Sequence, residues 1–418
     1  MKSIEAYNRG LASYEGAIYL DTGHSSQAQG YFEAVQSYDG TIAISCFFNE
    51  VVDIPVDTSR LKIVAIDKEG WYLRTEGQIV IPSHDISTVH GRAMTTAVIR
   101  PTFFRAMRIP KRSLRYLGTK FALTNFLFEQ WATSVPAPIR FSVEGRDIEI
   151  RPSKRYPECV RQLKATAGIE VTASIDVRSC SGVRYSLDED ATLMDNLVFA
   201  LRLWSGNKLD WLYGEGLDDN FDSTVEMLHK NGVVGEFSNT ISFLGWRVNL
   251  KELVQGWFST DGKVVSVEMI REFIDYFVDC CATGPYFEIR ALSAATLLDA
   301  LSLKYATAFG EENVLSKGDF QADVLPNLEA VIGSKALDPE KKGQLKANLQ
   351  GLYRTSFRRR LRLLNEELSL KMNPKLINRV KNARDKLVHE GRFTSKTKKQ
   401  RWSDYACLLW TDFSPFVH

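Results

Sequence analysis

The chain has 418 residues, of which 44% are hydrophobic, 11% aromatic and 25% charged. That make-up excludes a fibrous or wholly disordered protein, and the length exceeds one ordinary core, so two or three domains are expected. The net charge of +2 hides an asymmetry: Lys341 to Arg401 carries 19 Lys and Arg against 4 Asp and Glu, while the rest of the chain holds 34 against 47. A segment so basic fits a surface for a polyanion, and it fits a solvated lysine-rich helix face equally well.

The opening MKSIEAYNRGLASYEG lacks the apolar stretch of a signal peptide. No run reaches the roughly 18 uninterrupted apolar residues of a membrane-spanning helix. The six cysteines (Cys46, Cys159, Cys180, Cys280, Cys281 and Cys407) form no C-x-x-C pair and read as reduced thiols. A cytoplasmic protein without membrane association is expected.

Strand signals dominate the first half. Ile42, Ile44 and Cys46 alternate after the turn residues Asp39 and Gly40. RLKIVAID and GQIVIP read as further short strands. IRFSV, the turn EGRD and then IEI predict a hairpin over 139–150. Ile169, Val171, Ala173, Ile175 and Val177 alternate with polar residues, the period of a strand with one wet face. TKFALTNFLFEQWA, residues 119–132, reads as an interrupting helix.

From Ser186 the period changes. Ser186 and Glu189 form a capping box, and Leu193, Leu197, Ala200, Leu201 and Trp204 follow at helical spacing. SGNKLDWLYGEGLDDNFDS reads as a loop-rich passage, and helical segments are expected from there to about Trp257. STDG, at Ser259 to Gly262, marks a domain boundary, giving a β-rich domain over 1–260 and a helical domain over 261–418. In the second, Ile270, Phe273, Ile274, Phe277, Val278 and Cys281 form one apolar stripe, broken by Gly284 and Pro285. Helices are expected at about 286–309, 319–332, 340–369, 374–390 and 398–411. The fold class is therefore α+β: a sandwich-like β-rich domain with some helices, followed by an all-α bundle.

Asn373-Pro374 is a helix start and Gly391 a stop. On that helix Leu376, Val380, Ala383 and Leu387 fall on one side, at 100° per residue, and form the predicted buried stripe. Asp385 and His389 are four apart and neighbours on the opposite side, beside Asn378 and Asn382. Asp385 is expected to bond and orient His389, a general base or acid. Arg384 offers a fork of donors to phosphate oxygens but sits about 140° around from His389. A second copy across a two-fold axis would bring the two functions into one cleft. As a bare pattern, an arginine five positions before a histidine is close to what chance gives. Upstream, FRRRLR supplies Arg358, Arg359, Arg360 and Arg362, either for a phosphate backbone or for a solvated face.

Three other constellations carry less. His84, Asp85 and His90 lack the spacing of a zinc site. Asp218, Asp219 and Asp222 lack the glycine and further ligands of a calcium loop. Cys280 and Cys281 sit on an apolar helix and read as core. No metal or cofactor is called for.

RDKLVHEG resembles the C-terminal signature of HEPN domains, helical bundles that end on an arginine, a polar residue and a histidine. YFEIRALSAATLLDALSLKY and YRTSFRRRLRLLNEEL resemble the earlier bundle helices, so that the likeness covers roughly 284–412. IEVTASIDV, SLDEDATLMDNLVFALRLW and Ser205-Gly206 resemble the N-terminal region of ApeA-type anti-phage proteins, which have the same domain order. The resemblance implies a metal-independent, dimeric endoribonuclease that attacks RNA, tRNA included, through the 2′-OH, with a phage-derived trigger and a role in abortive infection. Arg384 and His389 match the two defining positions. Asp385 stands at the variable polar position, where asparagine is commoner and an acid repels phosphate. The family also contains inactive binding modules, so the alternative is a non-catalytic bundle that dimerises or binds nucleic acid beside a ligand-sensing first domain. A third reading makes the first half a ligand-binding module on a supporting bundle.

Overall fold

The computed structural model describes residues 12–21, 27–37, 40–52, 62–89, 92–108, 114–128, 134–231, 249–259, 274, 277–278, 281, 287–367 and 372–390. The chain is mixed α/β and divides into two compact units, Met1–Phe258 and Ser259–His418. Among the described residues no helix is long and apolar enough to cross a membrane.

The first unit is built on one antiparallel sheet whose first half closes on itself. β1 (Ala12–Asp21), β2 (Gln27–Gln36), β3 (Ile42–Phe48), β4 (Lys62–Asp67), β5 (Tyr72–Val89) and β6 (Arg92–Met107) run in the order β3-β2-β1-β4-β5-β6, and β3 also pairs with β6. The result is a six-stranded barrel where the sequence reading expects a sandwich. Alternate residues of β3, Ile42, Ile44, Cys46 and Phe48, point into its core with Ile18, Phe32, Ile63, Leu73 and Ile99. Closure removes the exposed edges that an open sheet of this size would present. Burial pushes the Cys46 thiol up to about 12, so it stays protonated.

One edge of strand β6 pairs with β5, and its other edge serves two partners in turn. Its residues Thr95 to Ile99 pair with β3, and its residues Phe103 to Met107 pair with β12 (Thr224–Lys230). Pro101 stands at the changeover, where the missing N–H costs no bond to either partner. Beyond it the sheet continues as β12, β11 (Trp211–Leu217), β7 (Gly118–Thr124), β10 (Val171–Ser179), β9 (Arg146–Pro152) and β8 (Ile139–Val143). Helices α1 (Tyr156–Thr166) and α2 (Leu187–Ser205) pack on β10 and β11, and α3 (Leu250–Phe258) packs against α2 and β8.

Three expectations fail here. Residues 119–124, read as part of a helix, belong to strand β7. It lies between β11 and β10 and is buried on both faces, so its apolar run carries no period of two. The passage read as loop-rich contains strand β11, and Thr224–Lys230, read as helical, is strand β12. The glycines that look like turns do other work. A Cβ on Gly214 would lie 2.5 Å from the Phe121 ring, and one on Gly216 would lie 2.5 Å from the Tyr116 ring. Much of the region between β12 and α3 lies outside the described residues.

Charge pairs pin α2 to the sheet. Arg105, 3% exposed, meets Glu76 at 2.8 Å and also Glu226 and Asp188. Arg146 meets Asp190 at 2.7 Å, and Asp190 accepts from Thr119. Ser186 and Glu189 form the predicted capping box.

At the β1–β2–β12 junction, Gln36 donates to the carbonyls of Leu212 and Lys230, which leaves its own oxygen to accept from His229 Nδ1 at 2.8 Å. His229 Nε2 then accepts from the Tyr14 hydroxyl at 2.8 Å. Both ring nitrogens are satisfied in the neutral form with the proton on Nδ1, and burial drives the ring down to about 3. A proton therefore binds the unfolded chain first, and stability falls as pH drops below about 6.5. Between pH 7 and 5.5 the chain should lose about 1 kcal/mol of stability in urea unfolding, a loss that His229→Gln removes. An unchanged pH slope in the variant would contradict this account of the network.

The described elements of the second unit are helices: α4 (Phe287–Ala308), α5 (Leu325–Ser334), α6 (Pro339–Leu349), α7 (Phe357–Glu367) and α8 (Pro374–Glu390). Ile274, Phe277, Val278 and Cys281 are buried on helical backbone, while Ile270, Phe273, Cys280, Gly284 and Pro285 lie outside the described residues, as do Gly391 and the predicted helix at 398–411. Residues 319–332 are not one regular helix, because a π-turn at Phe320–Val324 precedes α5. Residues 340–369 are not one helix either. A turn near Gly351 breaks them, and the Asn313–Arg354 bridge and the Thr355 N–H to Glu312 carbonyl bond hold the start of α7 beside the end of α4.

Candidate functional site

Helix α8 starts as its sequence dictates. The Asn373 side chain accepts the Leu376 N–H at 2.9 Å, and Pro374 takes the first helical position. Ile377, Val380, Ala383 and Leu387 are buried and seat the helix. Leu376, expected in that stripe, is only half-buried and Ile377 takes its place.

The stripe holds Arg384 at the edge of the buried face, turned toward α4. Its Nη2 donates to Asp299 Oδ2 at 2.7 Å, and its Nη1 donates to Asp385 Oδ1 at 3.2 Å. From α7, Arg360 Nη2 donates to the other oxygen of the same carboxylate at 2.7 Å, and Arg360 Nη1 donates to the Asp299 carbonyl at 3.4 Å. Both guanidinium groups lie over the Phe357 ring, 5.3 Å from its centroid for Arg384 and 6.0 Å for Arg360. One carboxylate thus clasps three helices. Partial burial opposes the charge on Arg384, but Asp299 and Asp385 outweigh it and hold its pKa above the ordinary value.

Asp385 does not orient His389. Its carboxylate is taken by Lys381 at 2.7 Å and by Arg384. Burial works against its charge, but those two cations prevail and hold it below the usual carboxylate range. Two cations within reach win over a single exposed imidazole one turn away. His389 stands exposed in the last turn of α8 and makes no hydrogen bond among the described residues.

The FRRRLR run divides by helical phase. Phe357, Leu361 and Leu364 are buried and Arg360 turns inward to Asp299. Arg358 and Arg359 are exposed, and Arg359 comes within 3.6 Å of Glu311. Arg362 is half-buried and, like Arg358, makes no ion pair among the described residues. The structure therefore brings together Arg384, Asp385 and Arg360, and leaves His389, Arg358, Arg359 and Arg362 outside that contact. Sequence reasoning missed Asp299. A signal exists: it is the sole charged residue between Arg290 and Lys304 on an otherwise apolar helix.

The other constellations are structural where described. His84 and Asp85 are exposed on β5, opposite Ala97 and Thr96, and His90 lies outside the described residues. Asp218 accepts the N–H groups of Asp222 and Ser223 in the β11–β12 turn, and Asp219 pairs with Arg184. No protein-family model, curated protein or solved structure matches this chain.

Removing the Asp299 carboxylate leaves two enclosed guanidinium groups short of a partner. Asp299→Ala should cost about 1.5–3 kcal/mol in thermal or urea unfolding, and Asp299→Asn should cost less because its oxygen still accepts. A cost below about 0.5 kcal/mol for Asp299→Ala would show that the clasp does not hold the helices.

Proposed function

We propose that this protein is a metal-independent endoribonuclease of the HEPN type, working as a dimer through its helical unit. The observation that carries the proposal is the division of labour along α8. Arg384 is held by carboxylates, and His389, five residues on, is exposed and makes no hydrogen bond among the described residues. Cleavage of RNA by its own 2′-hydroxyl needs those two properties: a fixed cation for the charge that builds on phosphorus and an imidazole free to move a proton.

In this reading His389 takes the 2′-OH proton as the 2′-oxygen bonds to phosphorus. The bond to the 5′-oxygen breaks, and that oxygen leaves with a proton from the His389 of a second copy. The products are a 2′,3′-cyclic phosphate and a 5′-OH end. Asp385 serves as a positioning residue for Arg384, in place of the role toward His389 that the sequence suggests. Arg358, Arg359 and Arg362 steer the RNA backbone. The β-rich unit is the sensor that answers an infection trigger, and the outcome is the growth arrest that the resemblance to ApeA-type proteins implies.

A second reading also has an observation behind it. Both terminal nitrogens of Arg384 already have carboxylate partners, as a purely structural arginine would. The bundle would then bind nucleic acid or dimerise without cutting. The two readings separate in total RNA incubated with EDTA, alongside a toxicity test on overexpression that catches an enzyme silent at rest. His389→Ala and Arg384→Ala should each lower cleavage by about 100-fold or more and abolish toxicity. Equal cleavage by all three proteins would end the catalytic assignment.

A further inference from the structure

We propose that Asp299 is a built-in occupant of the phosphate site, an internal anion that Arg360 and Arg384 hold until an RNA phosphate displaces it. The proposal rests on reading Arg384 as a phosphate-binding residue. It adds Arg360 as the second arginine of that site and assigns Asp299 as its regulator.

The chemistry is one of substitution. A carboxylate presents two oxygens to guanidinium forks much as a phosphodiester presents its two non-bridging oxygens. The Asp299 carboxylate gives one oxygen to each arginine, both at 2.7 Å. That is the bridging geometry of a bound phosphate between two arginines, filled from within.

Three further features favour exchange over a permanent pair. Asp299 is the most open of the three side chains, at 30% exposure against 20% for Arg384 and 11% for Arg360, so a rotation about its own side-chain bonds carries it into water while the arginines stay. The Phe357 ring under both guanidinium groups supports their planes once the carboxylate has left. The Nε atoms of both arginines are enclosed and unpartnered, so the internal anion leaves donors unused that a larger oxyanion can take up. The charges agree: Lys381, Arg360 and Arg384 against Asp385 and Asp299 leave one positive charge in excess. Displacing Asp299 exposes a stronger field to the arriving phosphate. The resting site is thus self-satisfied, and apparent affinity falls by the fraction of time the carboxylate is seated.

The test is binding, not turnover. The full chain carrying His389→Ala is titrated by fluorescence anisotropy, at fixed salt and in EDTA, with a short 2′-O-methyl RNA that cannot be cut. Adding Asp299→Asn should tighten binding about tenfold, as for a site closed roughly nine-tenths of the time. Glu366→Gln, an exposed acid on α7, removes the same charge elsewhere and should change affinity less than about twofold. Unchanged or weaker binding for Asp299→Asn, or an equal gain for Glu366→Gln, would overturn the proposal. Should Asp299→Asn unfold, the comparison moves to Asp299→Asn with Arg360→Gln against Arg360→Gln alone, which removes one charge of each sign. The double variant should bind tighter, and equal binding would overturn the proposal. Tighter binding by a chain whose His389-bearing form cuts no RNA would leave the proposal standing and end the nuclease reading. Cleavage by wild type with no gain in binding would do the reverse. No binding by any form would end both.

Discussion

A charge taken out of water must find its opposite, and both units are organised around that constraint. In the first, Arg105 is almost wholly enclosed and gathers Glu76 from β5, Glu226 from β12 and Asp188 from α2. The barrel, the second half of the sheet and the covering helix meet on that one guanidinium. In the second unit the signs are exchanged, and Asp299 gathers Arg360 and Arg384. His229 shows the other solution, a titratable group kept neutral and satisfied on both nitrogens. Apolar burial stabilises these units, and the charge pairs specify which strand and which helix meet.

The same constraint shapes the candidate site. An arginine at the edge of a buried stripe cannot remain unpaired, so α8 can carry Arg384 there only because α4 supplies Asp299. The pairing gives Arg384 a fixed direction, which phosphate recognition needs, and it also blocks two of its donors. Asp385 is drawn into the same cluster by Arg384 and Lys381, and His389 is left without a hydrogen bond among the described residues. Rigidity of the cation and freedom of the imidazole arise from one arrangement of charges.

What the sequence reveals follows the range of the interactions. Local chemistry is legible. Ser186 and Glu189 announce the start of α2, Asn373-Pro374 the start of α8, and the alternation of Ile42, Ile44 and Cys46 the inward face of β3. The hairpin of β8 and β9 is visible from its turn residues. Long-range consequences are not legible. Strand β7 is buried on both faces only because β10 and β11 flank it, and without them its apolar run is indistinguishable from a helix. Gly214 and Gly216 resemble a loop until the rings of Phe121 and Tyr116 are laid across them. Barrel closure needs β3 to find β6 across some fifty residues. At the site, the arginine and histidine of α8 can be picked out by pattern, whereas Asp299, 85 positions from Arg384 in sequence, can be joined to it only by the fold.

On the proposed reading, α8 presents the fixed Arg384 and the exposed His389 to RNA that is cleaved by its own 2′-hydroxyl. The most direct test is the chemistry of the cut ends, read on RNA treated with the full chain in EDTA. Each cut should carry a 2′,3′-cyclic phosphate and a 5′-OH, both lost with His389→Ala. Cuts that leave a 5′-phosphate and a 3′-OH, or cuts that survive His389→Ala, would contradict it.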